Sequence, residues 1–322
     1  MNSMIQTVDL TKKFNDFVAN DHINLDVKEQ EIKCIVGENG AGKSTTMNIM
    51  TGYLGATEGQ VLIDGHDILK EPEEAKKNIG YLPEIPPLYM EMTVREYLEF
   101  AAELKGIKKD KREPQIEEVI RLAKLRDVEN RLIQNLSKGY KQRVGLAQAV
   151  LGFPEIIILD EPTVGLDPKQ IIEIRELIRK LAKKHTVILS SHILAEVREV
   201  CDYIMIISGG KLVASDTTEN LENMMSGKDQ IEVEAKASRD EMDHIIRRTG
   251  KIKEVKYRTS ASGITTAQII AKGGEDIREE LFLAFSHADV PMLTLNQSKT
   301  TLEEIFLELT QGSGNRMIKE EK

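Results

Sequence analysis

The chain has 322 residues and a net charge of −9, with 40% hydrophobic and 30% charged residues, as in a soluble globular protein of one or two domains. The negative charge argues against general nucleic-acid binding and against anchoring on anionic lipid, since both need a basic surface. The apolar runs are too short to span a bilayer, and a secretory signal is lacking, so we expect a reduced cytosolic protein. Cys34 and Cys201 lack metal-ligand spacing, so we expect inert buried thiols.

From residue 1 to 225, short β-branched runs alternate with helical stretches, which predicts an α/β domain with a parallel sheet covered by helices. The clearest predicted strands are IKCIVG, EIIILDEP, HTVILSSH and YIMIISGGKLV. The first three end in polar residues, and ligands of open α/β sheets bind at the carboxyl ends of strands. Turn-rich sequence predicts a domain boundary between residues 225 and 226.

Residues 226–312 predict a second, smaller domain. Their pattern reads strand, helix, strand, strand, helix, strand, which is the order of the split βαβ or ferredoxin-like arrangement. A final amphipathic helix, TLEEIFLELTQ, is expected to pack on this α+β domain. Residues 313–322 are expected to form a disordered tail.

A glycine-rich stretch, GENGAGKST, follows the predicted strand IKCIV. It fits the pattern G-x-x-x-x-G-K-[ST], in which glycines let backbone amides approach phosphate oxygens. Lys43 would bring a positive charge to the β- and γ-phosphates, and Ser44 would offer a hydroxyl to Mg²⁺. We therefore expect a phosphate-binding loop made of Gly37, Glu38, Asn39, Gly40, Ala41, Gly42, Lys43, Ser44 and Thr45.

Two adjacent carboxylates end the predicted apolar strand in IIILDEP. Alternation along a strand would point them to opposite sides, so we expect them to have different roles. Asp160 would bind Mg²⁺, directly or through water, and Glu161 would accept a proton from the water that attacks the phosphate. His192 follows another predicted strand and could contact the γ-phosphate, although an isolated histidine is more often structural or solvated.

Six motifs occur in the order GENGAGKST, YLPE, LSKGYKQRVGLAQAV, IIILDEP, GLDP and SSH. Together they resemble the nucleotide-binding subunit of ABC transporters, over residues 4–225. The resemblance implies a P-loop NTPase cassette, with a RecA-like core and a helical subdomain, that hydrolyses ATP with Mg²⁺. It also implies that Phe14 stacks on adenine and that Asp167, in GLDP, belongs to the D-loop.

The stretch LSKGYKQR resembles the ABC signature, normally LSGGQ, with Lys138 in place of a glycine and Tyr140 in place of the glutamine. Ser137 and Gly139, which match the phosphate-contacting pair, are retained. In this family two subunits pack head to tail, and each signature covers the nucleotide on its partner's phosphate-binding loop. The resemblance therefore implies a dimer with a second copy or a paralogous cassette, closed by ATP and opened by hydrolysis.

Glu84, in YLPE, stands where the family usually has a glutamine that contacts Mg²⁺ and the attacking water. An ionised carboxylate cannot donate a hydrogen bond, so its part in catalysis and in metal binding stays open. Pro83, Pro86 and Pro87 restrict the backbone of the same Q-loop. The loop could transmit motion to the helical segment 92–150, or it could be a rigid connection without a signalling role.

The stretches YLPEIPPLY and LSKGYKQRVGLAQA are most similar to cytosolic ATPases of type-2 ABC exporters, and TTLEEIFLELT resembles their accessory C-terminal domain. The resemblance implies a separate integral-membrane permease and a location at the inner face of the cell membrane. An alternative is a soluble ABC ATPase that acts on ribosomes or DNA, although one cassette without CxxC motifs or long heptads argues against it. A non-hydrolysing subunit is disfavoured by the presence of Lys43, Asp160, Glu161 and His192.

Overall fold

The structure is a computed structural model, and it describes residues 3–224, 230–260, 263–298 and 302–317. Contacts between Cα atoms divide the chain into two compact units. The first extends to Thr217, and the second runs from Thr218 to Gln311. Within the described ranges, every helix is too short or too polar to cross a bilayer.

The strands of the first unit are, in chain order, β1 (Ser3–Phe14), β2 (Phe17–Lys28), β3 (Ile32–Val36), β4 (Glu58–Ile63), β5 (His66–Asp67), β6 (Ile79–Leu82), β7 (Ile156–Leu159), β8 (Thr186–Ser191), β9 (Tyr203–Ser208) and β10 (Lys211–Thr217). Its helices are α1 (Lys43–Met50), α2 (Pro72–Lys77), α3 (Val94–Leu104), α4 (Lys109–Leu122), α5 (Lys138–Val150), α6 (Pro168–Ala182) and α7 (Leu194–Val200), with a short 3-10 turn at Ile133–Asn135.

These strands form two sheets. An antiparallel sheet has the order β2-β1-β4-β5, and a second sheet has the order β10-β9-β3-β8-β7-β6. In the second sheet the five strands from β9 to β6 are parallel, and β10 is antiparallel to β9. Strands β3, β7 and β8 are buried along their whole length, as expected where a parallel sheet is covered on both faces. The parallel α/β fold predicted from the sequence is therefore confirmed.

One predicted strand was wrong. The stretch YIMIISGGKLV forms two antiparallel strands, β9 and β10, joined at Gly209 and Gly210. Both glycines have positive φ, 53° and 78°, which is the backbone that a two-residue hairpin of right-handed twist requires. The stretch before the expected domain boundary was predicted to be rich in turns. Most of it instead forms this hairpin and the helix α8 (Thr218–Met224).

The helical segment 92–150 holds α3, α4 and α5. Helix α3 begins with a reciprocal capping box, in which Thr93 accepts from the backbone N–H of Glu96 and the Glu96 side chain accepts from that of Thr93. Arg95 on α3 then pairs with Glu117 on α4 and, at 3.2 Å, with Glu129 after it. The segment is thus joined by charged contacts as well as by its apolar core.

The second unit continues with β11 (Gln230–Ala235), α9 (Arg239–Arg247), β12 (Ile252–Thr259), β13 (Thr265–Ala271), a 3-10 turn (Lys272–Gly274), α10 (Arg278–His287), β14 (Met292–Ser298) and the first part of α11 (Leu302–Met317), a helix that runs past the unit's last residue, Gln311. Its antiparallel sheet has the order β12-β13-β11-β14. Along the chain, the order strand, helix, strand, strand, helix, strand is that of a split βαβ arrangement. Its buried core includes Ile231, Val233, Met242, Ile269 and Phe285.

Two limits expected from the sequence involve residues outside the described ranges. The boundary expected between residues 225 and 226 lies outside the described residues, and the division by contacts falls earlier, at Thr217. The tail expected at 313–322 is helical up to Met317, and the rest of it is outside the described residues. Helix growth adds one hydrogen bond for each residue fixed, and no proline interrupts the sequence here, so α11 extends past its apolar stripe.

Hydrogen bonds from Arg126 and Arg95 lower the pKa of Glu117 to about 2. Because this pKa is depressed by folding, the stabilisation is present above the unfolded-state pKa of about 4.3 and is lost as pH falls towards 2. We therefore expect Glu117→Gln to lower the melting temperature at pH 7, and the difference from the parent protein to shrink below about pH 4. Thermal unfolding of both proteins between pH 7 and pH 3 measures this difference in melting temperature.

Glu118 provides the matched control, because it lies on the same helix and pairs with Arg121 at 3.6 Å. Glu118→Gln should change the melting temperature less than Glu117→Gln at pH 7. Equal effects of the two substitutions would show that the Arg95–Glu117–Arg126 contacts add nothing particular to stability.

Candidate functional site

The glycine-rich loop connects the buried strand β3 to helix α1. Gly42, immediately before α1, has a φ of 106°, and a Cβ there would lie 2.5 Å from the carbonyl oxygen of Ala19, so a glycine is required. The Lys43 ammonium donates to the carbonyl oxygens of Gly37 and Glu38, at 2.9 and 3.1 Å. Behind the loop, the buried Asn20 donates to the Gly42 carbonyl oxygen at 3.2 Å. The lysine charge is therefore held at the mouth of a rigid loop.

Asp160 and Glu161 follow β7 and approach the glycine-rich loop together. Asp160 Oδ1 lies 3.4 Å from Ser44 Oγ, and Glu161 Oε1 lies 3.8 Å from Lys43 Nζ. The expectation that strand alternation sends the two carboxylates to opposite sides was wrong. Strand β7 ends at Leu159, and Glu161 has a φ of 48°, so the alternation of a strand no longer applies.

Ser190, on β8, holds the two acidic residues in place. Its hydroxyl donates to Asp160 Oδ1 at 2.5 Å and accepts from the backbone N–H of Glu161 at 2.8 Å. Ser190 is fully buried, so water does not compete with either bond. The neighbouring Ser191 instead accepts from the backbone N–H of Ile193, at 3.0 Å.

His192 lies directly after β8 and contacts the same carboxylate. Its Nδ1 is 2.8 Å from Glu161 Oε2. The Glu161 side chain is almost fully buried, whereas the His192 side chain is about half exposed. Glu161 therefore lies between the Lys43 ammonium and the His192 imidazole, and one carboxylate joins residues from three neighbouring strands.

Lys43, Ser44, Glu161 and His192 line one open cavity of about 530 Å³. Of the residues expected from the sequence, it includes Phe14, Asn39, Gly40, Gly42, Lys43, Ser44, Thr45, Glu84, Glu161 and His192. Phe17, Ala19 and Val164 also line it. Its size and its mixture of charged and aromatic walls suit a nucleotide.

Phe14 and Phe17 face each other across the β1–β2 turn at one side of this cavity. They are paired residues of the hairpin, and they stay 45% and 62% exposed. The Lys12 ammonium lies 5.0 Å from the centre of the Phe14 ring. Two exposed aromatic rings at a cavity wall offer stacking area for a planar base.

Glu84 reaches the cavity from the loop after β6. Its side chain is exposed. Behind it, Pro86 packs closely on α5, because a Cβ on Gly145 would lie 2.8 Å from the Pro86 Cβ. Pro86 of this loop thus contacts the helix that begins with the signature-like stretch.

Among the residues that the structure describes, seven of the expected residues are outside the lining of this cavity. Gly37, Glu38 and Ala41 belong to the glycine-rich loop itself, and Asp160 contacts Ser44 of that loop. The other three, Ser137, Gly139 and Asp167, lie at the starts of α5 and α6. Ser137 is the N-cap residue of α5, and its exposed side chain makes no capping hydrogen bond. Gly139 is buried against Gln170, whose side chain would come within 2.4 Å of an added Cβ. Asp167 caps α6 by accepting from the backbone N–H of Gln170 at 2.9 Å.

The two residues that depart from LSGGQ have defined positions. Tyr140 donates its hydroxyl to Asp127 at 2.6 Å, and this hydrogen bond raises the pKa of Tyr140. Lys138 is exposed, and its ammonium lies over Gly165, where an added Cβ would come within 2.1 Å. Tyr140 therefore fastens α5 within the helical segment, and Lys138 places a charge beside the loop that leads to Asp167.

Sequence reasoning did not identify Ser190 or Phe17. Ser190 is two positions before His192 on a strand, so alternation would have placed it on the same side as the histidine. Phe17 follows Phe14 by three residues across a tight turn, and an aromatic pair at a turn is a weak signal. The two cysteines are buried free thiols as expected, and burial together with a hydrogen bond to Cys201 raises the pKa of Cys34.

The chain resembles known proteins in sequence. The family model described as ABC transporter matches residues 20–164. The bacitracin transport ATP-binding protein BcrA of Bacillus licheniformis is 41% identical over 215 residues, 66% of this chain and 69% of BcrA.

Solved structures agree with the fold. A structure described as the ATP-binding subunit of an ABC transporter has a TM-score of 0.64 at 30% identity, covering 69% of this chain and 93% of that one. A dimeric, post-hydrolysis ATP-binding cassette with ADP and Pi has a TM-score of 0.61 at 28% identity, covering 66% and 98%. The resemblance noted in the sequence is thus confirmed, and the chain belongs to the ATP-binding proteins of the ABC transporter family, a family of ATPases.

Proposed function

We propose that this ATP-binding subunit powers an exporter, by hydrolysing ATP in a head-to-tail dimer that acts on a separate membrane permease. The observation that carries the proposal is the division of the motifs. Lys43, Glu161 and His192 line one cavity, whereas Ser137 and Asp167 lie outside its lining in the described part of the chain. One chain thus supplies two partial sites, and a second cassette would complete each of them.

In the cavity, each polar group has one task. The backbone amides of the glycine-rich loop and the Lys43 ammonium bind the β- and γ-phosphates. Glu161 accepts the proton of the attacking water, and His192 contacts the γ-phosphate. The 2.8 Å contact between His192 and Glu161 supports this division, because it holds the proton acceptor and the phosphate ligand side by side.

The donor set fits a magnesium ion. Ser44 Oγ and Asp160 Oδ1 are hard oxygen donors 3.4 Å apart, and Mg²⁺ binds one or two protein oxygens together with substrate phosphates. In the described ranges no group of three or more acidic, histidine or cysteine side chains could hold a metal ion without other ligands. When bound, Mg²⁺ would neutralise charge on the β- and γ-phosphates. Glu84, exposed at the cavity wall, is a further possible oxygen ligand.

Phe14 would stack on the adenine ring, with Phe17 supplying a second aromatic surface. Both rings line the same cavity as the phosphate-binding loop. Stacking uses the flat face of the base and leaves its hydrogen-bonding edge free. The aromatic pair therefore contributes affinity for a purine rather than strict selection of adenine.

The signature-like residues would act on the partner's nucleotide. Ser137 is exposed, and the first turn of α5 has no acidic residue to neutralise its positive dipole. Asp167 would contact the partner from the start of α6. The dimeric state of a solved cassette of the same family supports this arrangement.

The export direction is inferred from similarity. BcrA is named for bacitracin transport, and its identity to this chain extends over most of the cassette. From the family resemblance, we infer that the permease is a separate chain and that this subunit is cytoplasmic, at the inner face of the membrane. The permease would also determine which substrate is moved.

Glu161→Gln should keep ATP affinity within about twofold and reduce turnover by at least about 100-fold, because only the proton acceptor is lost. The variant should also accumulate as an ATP-bound dimer, which size-exclusion chromatography would detect. Lys43→Ala should instead weaken ATP binding itself, as nucleotide titration would show. Near-normal turnover of Glu161→Gln would remove Glu161 from the role of base.

Ser190→Ala should reduce kcat by about tenfold, because Asp160 and the Glu161 backbone both lose the group that positions them. Ser191→Ala is the matched control, since Ser191 is also buried and accepts one backbone N–H but does not contact Asp160. Steady-state ATPase assays measure kcat for both variants, and their melting temperatures show whether either substitution also changes stability. Equal kcat values for the two variants would contradict a positioning role for Ser190.

The head-to-tail arrangement can be tested with tethered dimers that carry Lys43→Ala and Ser137→Arg. With one lesion on each protomer, both faults fall in one composite site and the other site stays intact. With both lesions on one protomer, each site has one fault. The arginine fills space that the γ-phosphate needs, so it blocks closure.

The readout is the amount of nucleotide occluded per dimer, because turnover requires both sites in some ATPases and would then be zero in every arrangement. We expect more occlusion in the split arrangement than in the arrangement with both lesions on one protomer. The reverse order would mean that Ser137 acts on the ATP of its own chain.

A further inference from the structure

A buried carboxylate lies behind the candidate site and takes no part in the roles assigned above. Glu196 is on α7 and is only 7% exposed. Its Oε2 accepts from the hydroxyl of Thr163 at 2.5 Å, and its Oε1 lies 3.8 Å from Arg175 on α6. Glu196 therefore connects α7, α6 and the loop that follows β7.

The burial of the Glu196 carboxylate costs free energy, so it is a poor means of stabilising the fold. Burying a carboxylate is unfavourable unless a close cation and hydrogen bonds compensate for lost water. The ion pair with Arg175 is long, and Arg175 Nε is buried without a hydrogen-bond partner among the described residues. The short bond from Thr163, itself only 6% exposed, is thus the best contact that Glu196 makes.

Thr163 is well placed to affect the site. It lies two residues after Glu161 and four before Asp167, in a loop of consecutive turns. In this loop the N–H of Val164 donates to the Glu161 carbonyl oxygen, and the N–H of Leu166 donates to that of Thr163, both at 3.2 Å. A shift of Thr163 would therefore move the left-handed Glu161 on one side and the start of α6 on the other.

Glu196 is also close to His192 along the chain. It lies four residues after His192, and its N–H donates to the carbonyl oxygen of Ile193 at 3.0 Å, in the first turn of α7. The Thr163–Glu196 bond thus closes a ring whose opposite side is the 2.8 Å contact between Glu161 and His192. Two contacts in one ring fix the distance between the loop and α7 more tightly than either contact alone.

We propose that Thr163 and Glu196 are positioning residues for ATP hydrolysis: their hydrogen bond holds the 160–167 loop against α7, so that Glu161 stays in register with His192. This inference rests on the proposed role of Glu161 as the base. Neither residue is part of the cavity lining, so we expect both to act on the rate of hydrolysis and not on binding. Arg175 extends the same contact to α6, the helix that Asp167 caps.

Thr163→Val removes the hydroxyl and keeps the shape, and Thr163→Ser keeps the hydroxyl. We expect Thr163→Val to lower kcat about tenfold with the KM for ATP within about twofold, and Thr163→Ser to remain within about twofold of the parent in both. Glu196→Ala should resemble Thr163→Val. The double variant should be little worse than either one, because both remove the same bond.

Thr7→Val is the matched control for stability. Thr7 is a buried threonine of β1 whose hydroxyl donates to the Ile23 carbonyl oxygen at 2.8 Å, away from the cavity. It should lower the melting temperature and leave kcat unchanged. If Thr163→Val misfolds, Glu196→Gln serves in its place, since the amide oxygen can still accept from Thr163 and kcat should then fall less than in Glu196→Ala.

Unchanged kcat in Thr163→Val, or an equal loss in Thr163→Ser, would overturn the inference. Additive losses in the double variant would do the same. Glu161→Gln is assayed in parallel to separate the two proposals. An active Glu161→Gln would show that the proposed base is wrong, whereas an inactive Glu161→Gln beside a normal Thr163→Val would show that the positioning bond is not needed.

Discussion

The backbone of Glu161 adopts a left-handed conformation directly after a buried strand, and the geometry of the site depends on that one turn. A residue with a β-carbon is disfavoured at a φ of 48°, so the surrounding contacts must supply the difference. The Ser190 hydroxyl accepts from the Glu161 N–H, and Lys43 and His192 contact the two carboxylate oxygens. Without the turn, the carboxylate would follow strand alternation and lie away from the glycine-rich loop.

The parallel sheet explains why these partners are within reach of Glu161. Strands β3, β8, β7 and β6 are neighbours in the sheet and run in the same direction, so their carboxyl ends form one edge. Lys43, His192, Glu161 and Glu84 each follow one of these four strands. The substitutions in the signature-like stretch lie elsewhere and disturb none of this, because Tyr140 bonds to Asp127 and Lys138 lies over Gly165.

The sequence was sufficient where chemistry is carried by consecutive residues. The glycine-rich loop and the acidic pair are local patterns, and both lie where the pattern predicts, at strand ends. It was insufficient where strand register matters. Ser190 meets Asp160 because β7 pairs with β8 in one register, Ile157 beside Val187, and no local pattern specifies that register. Thr163 and Glu196 are 33 residues apart and meet for the same kind of reason.

The hairpin misread as one strand shows a different limit. Apolar runs lie one residue beyond Gly209 and Gly210 on both sides, so hydrophobicity alone suggested one continuous strand, although two glycines between such runs are a recognised turn signal. At the end of α11, the sequence predicted less regular structure than the helix has. Glycine and serine after Gln311 suggested an end to order, but weak helix formers can extend a helix that is already nucleated.

The position of that hairpin also has a consequence for biosynthesis. Its Gly210 donates to the carbonyl oxygen of Ala41 at 3.1 Å, and β9 pairs with β3 from Lys33 onwards, at Tyr203. The glycine-rich loop is therefore translated early but acquires its supporting strand only after β9 has left the ribosome. At about 5–20 residues per second, this delay is roughly ten to thirty seconds. During that time the nascent chain carries a phosphate-binding sequence without its final shape, so nucleotide binding can begin only when the cassette is nearly complete.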